Sequence, residues 1–239
     1  MSSAPTPRWS ALRGVLFDVD GTLYDQRRLR LLMALEWGRF ALRHGRVALE
    51  VGRSIMAFRR AREELRALGQ PAARLEDLQY AQAAGRAGID QARLRAVVDE
   101  WIFNRPLRHL RRCRQPGVDE LFRFLRDRGL ALGVVSDYPG GPKLVQLGLA
   151  EHVSLTVCAT DEDVNAFKPH PHGLAYACRT WGLRPEEVLY VGDRSEVDAV
   201  GAGTLGMPCI ILGRRGGAVG GVPFFGCWSF DELRRTLGG

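Results

Sequence analysis

Lysine is nearly missing from this 239-residue chain: of its 34 basic residues only Lys143 and Lys168 are lysine, and the rest are arginine. Cysteine is also sparse. The five copies, at 113, 158, 178, 209 and 227, are odd in number and include no Cys-x-x-Cys pair. That excludes a disulfide framework or thiolate zinc site as the default and leaves reduced, buried thiols as the expectation. Low-complexity tracts and internal repeats are absent. No apolar run approaches the ~20 residues that span a bilayer, so no membrane partner is expected. Met1 to Ser10 lacks the apolar stretch of a secretory signal, and residues 1–12 read as a short tail on a cytoplasmic protein. What remains is 46% hydrophobic and 26% charged, the mixture of an ordinary globular chain.

Acids are in deficit, 27 against 34 basic residues, which gives a net charge of +7. Residues 22–115 carry a balance of +10 and the remainder one of −3, so the sign of the charge divides the chain into two structural units. A basic excess raises a nucleic-acid reading. Here the arginines are scattered through helical segments, without a nucleic-acid motif, and nucleic acid is not an expected partner. Oligomeric state is left open.

Periodicity gives the architecture. Gly14 to Val19 is a short apolar run that enters a turn at Asp18-Val19-Asp20-Gly21-Thr22, and reads as a buried strand. From Arg27 to Asn104 the apolar spacing is helical: Leu29, Met33, Trp37 and Phe40 form one stripe. Val47, Val51, Ile55, Phe58, Leu65 and Leu68 form a second, and Leu94, Val97, Val98, Trp101 and Ile102 a third. A weaker helix over 75–86 completes a small four-helix bundle. After Pro106 and Pro116, helices alternate with short apolar strands at 130–135, 154–158, 188–191 and 209–212. Such alternation means an α/β fold with a doubly wound parallel sheet covered on both faces, whose ligands bind beyond the carboxyl ends of the strands. The bundle interrupts that pattern just after the first strand. The expected division is 13–24 with 115–239 as the core and 25–114 as an inserted all-helical cap.

Those strand ends carry the chemistry. Asp18-x-Asp20 follows the first strand, and two acids there can divide the labour of nucleophile or metal ligand and acid–base. Two carboxylates two apart on an extended segment point opposite ways unless the turn at Gly21 redirects the second. Ser136 ends the second strand, Lys168 lies in the loop after the third, and Asp193 ends the fourth with Asp198 five residues later. Acids, a hydroxyl and a cation on one sheet edge suit phosphoryl transfer, in which a carboxylate attacks while cations neutralise the oxygens.

In this order the segments Phe17-Asp18-Val19-Asp20-Gly21-Thr22-Leu23, Val134-Val135-Ser136, Lys168-Pro169 and Val191-Gly192-Asp193 with Asp198 resemble the signature motifs of the haloacid dehalogenase superfamily, over about residues 14–212. The resemblance implies a Rossmann-like core with an inserted helical cap. It implies Asp18 as the nucleophile of an aspartyl-phosphate, Asp20 as acid and then base, and Ser136 and Lys168 as holders of the phosphate. It implies Mg²⁺ on Asp18, the backbone carbonyl of Asp20, and Asp193. Asp198 either supports the metal through water or orients Lys168. The superfamily's dehalogenases resemble this pattern but lack the second acid, so Asp20 implies a phosphoester. The implied activity is a phosphatase acting on a small phosphorylated substrate, with phosphoglycolate, nucleotide and sugar phosphate all open. A phosphomutase shares every motif, and a non-catalytic binding protein with a basic cap is the alternative outside enzymes.

Other features read as structural. Asp137 stands where the superfamily often has Asn and is expected to face solvent; Lys143 is expected at the surface. Gly201-x-Gly203-x-x-Gly206 matches a dinucleotide fingerprint only by letters, because it ends a helix and precedes a strand. His170-Pro-His172 reads as loop, Arg108 to Arg114 as a solvated hinge face, and Gly213 to Gly221 as loop. Trp37, Phe40, Phe58 and Trp101 read as bundle core rather than substrate platforms.

Overall fold

The computed structural model describes residues 9–238; residues 1–8 of the expected tail lie outside that range, and Trp9–Ala11 form one 3-10 turn. Among the described residues a seven-stranded sheet runs β3-β2-β1-β4-β5-β7-β6. Its strands are β1 (Gly14–Phe17), β2 (Ala131–Ser136), β3 (Leu155–Cys158), β4 (Val188–Gly192), β5 (Cys209–Leu212), β6 (Gly217–Val219) and β7 (Val222–Cys227). All neighbouring pairs are parallel except β6 with β7.

Side chains alternate across each strand, so consecutive residues of β1 enter different cores. Val15 and Phe17 pack with Leu121, Phe122 and Leu125 of helix α5 (Val118–Asp127), together with Phe230 and Leu233 of α9 (Phe230–Gly238). Leu16 faces the opposite side with Leu174 and Ala177 of α7 (His172–Trp181) and Ala202 of α8 (Val200–Thr204). Strand β1 sits between β2 and β4, where the chain order reverses, and that switch point is where such sheets bind ligands.

Between β1 and α5 the chain is helical: α1 (Gln26–Ala67), α2 (Leu75–Ala87), α3 (Gln91–Val98), a wide π-type turn at Asp99–Asn104, and α4 (Arg105–Cys113). Phe58, Ala61, Tyr80, Ala83, Leu94 and Val98 form one core of this bundle. Val51, Val97 and Trp101 form a second, with Trp37 and Phe40 packed against it. The first two apolar stripes belong to one 42-residue helix bent at Gly45, whose φ of 42° and ψ of −104° suit glycine. Val47 and Leu68 of the second stripe are exposed, 44% and 63%, because the bend and the helix end turn them outward. Pro106 does not end the helical pattern. It stands at the start of α4, just after the π-type turn, where its missing N–H costs little. Arg108, Arg111 and Arg112 are exposed, whereas Arg114 turns inward to Asp119 and the Leu147 carbonyl.

One further difference from the expected elements has a local cause. Gly213 to Gly221 is not all loop, since Gly217–Val219 pairs with β7 through a Gly220-Gly221 hairpin turn. Ahead of β5 the chain makes a π-type turn, Ser195–Ala199, and then α8. The loop after β3 also reaches into the bundle. Asn165 Oδ1 accepts from the Leu75 N–H at 2.7 Å, which caps α2, and Asn165 Nδ2 donates to the Pro71 and Ala73 carbonyls at 3.0 and 3.1 Å. All five cysteines are buried and unbridged.

Phe122 is fully buried and stacks on Phe17 with centroids 4.7 Å apart, directly beneath the site. Phe122→Ala should destabilise the protein by about 3–5 kcal/mol, read from urea unfolding.

Candidate active site

Strand ends set the candidate side chains. Asp18 follows β1, and its N–H donates to the Val191 carbonyl of β4 at 2.8 Å. Its Oδ1 accepts from Lys168 Nζ at 2.5 Å and its Oδ2 from Thr22 Oγ1 at 3.2 Å. Lys168 Nζ also donates to Asp198 Oδ1 at 2.8 Å and to the Tyr190 hydroxyl at 2.9 Å, which uses all three of its protons. The other oxygen of Asp198 accepts from the N–H groups of Asp193 and Arg194 at 3.2 and 3.0 Å. Asp198 therefore braces both the lysine and the loop that carries Asp193.

The turn at Gly21 redirects Asp20, so that both carboxylates line one cavity. Glycine is required there: φ is 99°, and a Cβ would lie 2.3 Å from Asp193 Oδ2. Asp20 accepts from Lys143 Nζ at 2.5 and 2.7 Å, from the Tyr24 hydroxyl, and from Ser136 Oγ at 3.3 Å. Lys143 is thus buried in the site rather than at the surface. It lies in the first turn of α6 (Gly141–Leu147), and helical side chains lean toward the N-terminal end, here the carboxyl edge of the sheet.

Asp137 is likewise buried rather than solvated, because two arginines from α1 come down onto it. Its Oδ2 accepts from Arg66 Nη1 at 2.8 Å, its Oδ1 from the Lys168 N–H at 3.0 Å, and its carbonyl from Arg62 Nη2 at 2.5 Å. Arg66 also donates to the Lys168 carbonyl. Arg62 lies 4.0 and 4.3 Å from the ring centroids of Tyr138 and Phe167. His172 Nδ1, at the start of α7 rather than in a loop, lies 2.7 Å from Gln70 Nε2 of the helical segment.

Burial is the largest single influence on each of these groups and opposes every charge here. It pushes the Asp18 carboxyl well above its usual range; Lys168 counteracts it, while Asp198, Asp193 and Asp20 add to the rise. Asp193 is raised to about 6 by burial and by the charge of Asp198. For Asp20 burial is outweighed by the charge and hydrogen bonds of Lys143, with Tyr24 assisting, and its pKa falls. Asp137 also ends below its usual value, because Lys168, Arg66 and Arg62 overcome burial. Lys168 is raised well above its usual value: burial lowers it, but Asp18 and Asp198 prevail.

One carboxylate oxygen from each of Asp18, Asp193 and Asp198 lies within 4.8 Å of the others. Asp193 Oδ1 is buried without a hydrogen-bond partner. Clustered hard oxygens and an orphaned acceptor fit a divalent cation. The side chain of Asp20 is taken up by Lys143 and Tyr24, so only its backbone carbonyl is left for such an ion. A cavity of about 980 Å³ rises from these acids into the helical segment, and Trp37 and Trp101, besides packing in the bundle, line it.

This arrangement on a doubly wound sheet defines a hydrolase of the haloacid dehalogenase type. The family model described as haloacid dehalogenase-like hydrolase matches residues 12–206, and the chain belongs to that family. It is 30% identical over 214 residues to the glyceraldehyde 3-phosphate phosphatase of Methanopyrus kandleri, covering 86% of this chain and 85% of that one. It is 28% identical over 214 residues to the phosphoglycolate phosphatase of Shigella dysenteriae, covering 86% and 82%. The crystal structure of the 2-haloacid dehalogenase from Pseudomonas syringae pv. Tomato shares the fold, with a TM-score of 0.68 at 22% identity over 95% of this chain and 98% of that one. No described helix is long and apolar enough to cross a membrane.

Lys143, Tyr190, Arg62 and Arg66 join the site without having been marked by a motif, and Tyr24 joins it from just after the first one. For Lys143 the rarity of lysine was a usable signal. Asp137→Ala strips Arg66 and the Lys168 N–H of a buried partner and should cost about 3–5 kcal/mol in denaturant unfolding. Asp137→Asn, which keeps an acceptor, should cost less.

Proposed function

We propose that the protein is a Mg²⁺-dependent phosphatase that hydrolyses a phosphomonoester through an aspartyl-phosphate on Asp18. The observation that carries this reading is the second acid: Asp20 lines the same cavity as Asp18 and is held charged by Lys143. Phosphatase relatives with sequences similar over most of the chain support it.

Asp18 attacks phosphorus in line with the leaving oxygen, its carboxylate aimed by Lys168 and Thr22. Lys168, Lys143 and the Ser136 hydroxyl hold the phosphate. An incoming phosphate competes with Asp20 for Lys143, and a buried carboxylate relieved of its cation takes up a proton more readily. Asp20 then delivers that proton to the leaving alcohol. Once the alcohol has gone, Asp20 removes a proton from the water that opens the acyl phosphate. Asp18, Asp193 and the carbonyl of Asp20 would hold Mg²⁺. When bound, Mg²⁺ neutralises negative charge on the transferring phosphoryl oxygens. Asp198, with four hydrogen bonds already made, acts by positioning Lys168 and the Asp193 loop. The helical segment 25–114 acts as the cap that covers the core, 13–24 and 115–239, and excludes bulk water.

With an aryl phosphate and Mg²⁺, the wild-type protein should release inorganic phosphate, and chelation should stop it reversibly. Asp18→Asn should bring release to background. Asp20→Asn should lower turnover of an alkyl phosphate by about 10²–10⁴-fold. Absence of Mg²⁺-dependent release over a broad phosphoester panel would overturn the reading.

A further inference from the structure

The cavity above the acids has two chemically different ends. Its floor holds the carboxylates, Lys143 and Lys168, whereas the helical segment walls it with Met33, Trp37, Ile55, Trp101, Phe103 and Leu110. Among the described residues that line it there is no serine, threonine, asparagine or histidine. Among the polar groups the helices contribute, Arg59 is exposed, and others are committed to neighbours. Arg30 donates to Gln26 Oε1 at 2.8 Å, and Arg66 is engaged by Glu63 and Asp137. A sugar or short polyol brings several hydroxyls against this apolar wall, and each one left there without a partner is disfavoured.

Size points the same way. About 980 Å³ lies at the top of the ~300–1,000 Å³ range of small-molecule sites and far exceeds the needs of a phosphate on two or three carbons. The wall is also pre-formed: Trp37 and Trp101 meet edge to face with centroids 5.2 Å apart, and the Arg105 guanidinium lies 4.0 Å from the centroid of the Trp101 ring.

We propose that the substrate is the phosphomonoester of an apolar alcohol, whose hydrocarbon body lies against Trp37, Ile55 and Trp101 while its phosphate sits among Asp18, Lys143 and Lys168. This rests on the phosphatase reading and narrows it. Charge selects the phosphate end, and the apolar wall selects the body.

The test is kcat/KM with Mg²⁺ along a series of primary n-alkyl phosphates from propyl to decyl, with glycerol phosphate and a hexose phosphate as polar counterparts. The n-alkyl leaving groups have nearly equal basicity, so along the series the comparison reads binding of the body rather than chemistry. Each added methylene should raise kcat/KM by about three- to fourfold until the cavity is filled, and propyl phosphate should exceed glycerol phosphate. Calorimetric binding of the same series to Asp18→Asn should rise in parallel, and Trp37→Ala should flatten the slope. A flat or falling series, with glycerol or hexose phosphate turned over best, overturns the inference and leaves the phosphatase reading standing. Release of phosphate from no member of the panel overturns both.

Discussion

Three carboxylates, the buried Asp18 and Asp198 and the half-buried Asp193, meet at the end of a parallel sheet, and the ammonium of Lys168 bonds two of them at 2.5 and 2.8 Å. Like charges at such range repel strongly where water is excluded, and the arrangement is tolerable only with a cation at its centre. Much of the surrounding structure keeps that cation in place. Tyr190 and Asp198 fix its ammonium, Asp137 holds its backbone N–H, and Arg66 holds its carbonyl. A guanidinium is a wide fork and an ammonium a compact point charge, which is a physical reason for lysine here in a chain that otherwise uses arginine.

How much was legible in the sequence follows from how local each signal is. Strand β1 and the polar ends of β2 and β4 could be read because a parallel sheet buried on both faces writes itself as short apolar runs, each followed by a polar residue at the sheet edge. The join of the first two helical stripes into α1 could not, because a glycine that bends a helix and one that ends it look alike in sequence. The β6–β7 hairpin had its signal in Gly220-Gly221, but the flanking strand is only three residues long. Asp137 was misread for a different reason. Its partner Arg66 lies 71 residues earlier in the chain, and no local pattern reports a contact at that distance. Lys143 and Lys168 are the only lysines in the chain, and both stand in the site. Rarity marked the site better than the net charge did.

The bundle serves two purposes with the same side chains. Trp101 is 7% exposed and completes a core cluster, yet it also faces the cavity. Reading the aromatics as core was correct for packing and incomplete for the site. A residue in a wall between a core and a cavity satisfies the same periodicity as one in the core alone, so the sequence pattern does not separate them.

The Asn165 cap on α2 has a consequence for how this fold could be rebuilt. Helix α2 has no side-chain cap from its own N-cap residue, and its first N–H is satisfied by a residue 90 positions away. The segment 25–114 is therefore not an interchangeable module that could be transplanted onto a related core at its two chain crossings. A graft would also need the loop that bears Asn165 and Lys168, together with the Asp137 that receives Arg62 and Arg66. A change in the helical segment and a change in that loop therefore act on the same contacts, although the two lie far apart in the chain.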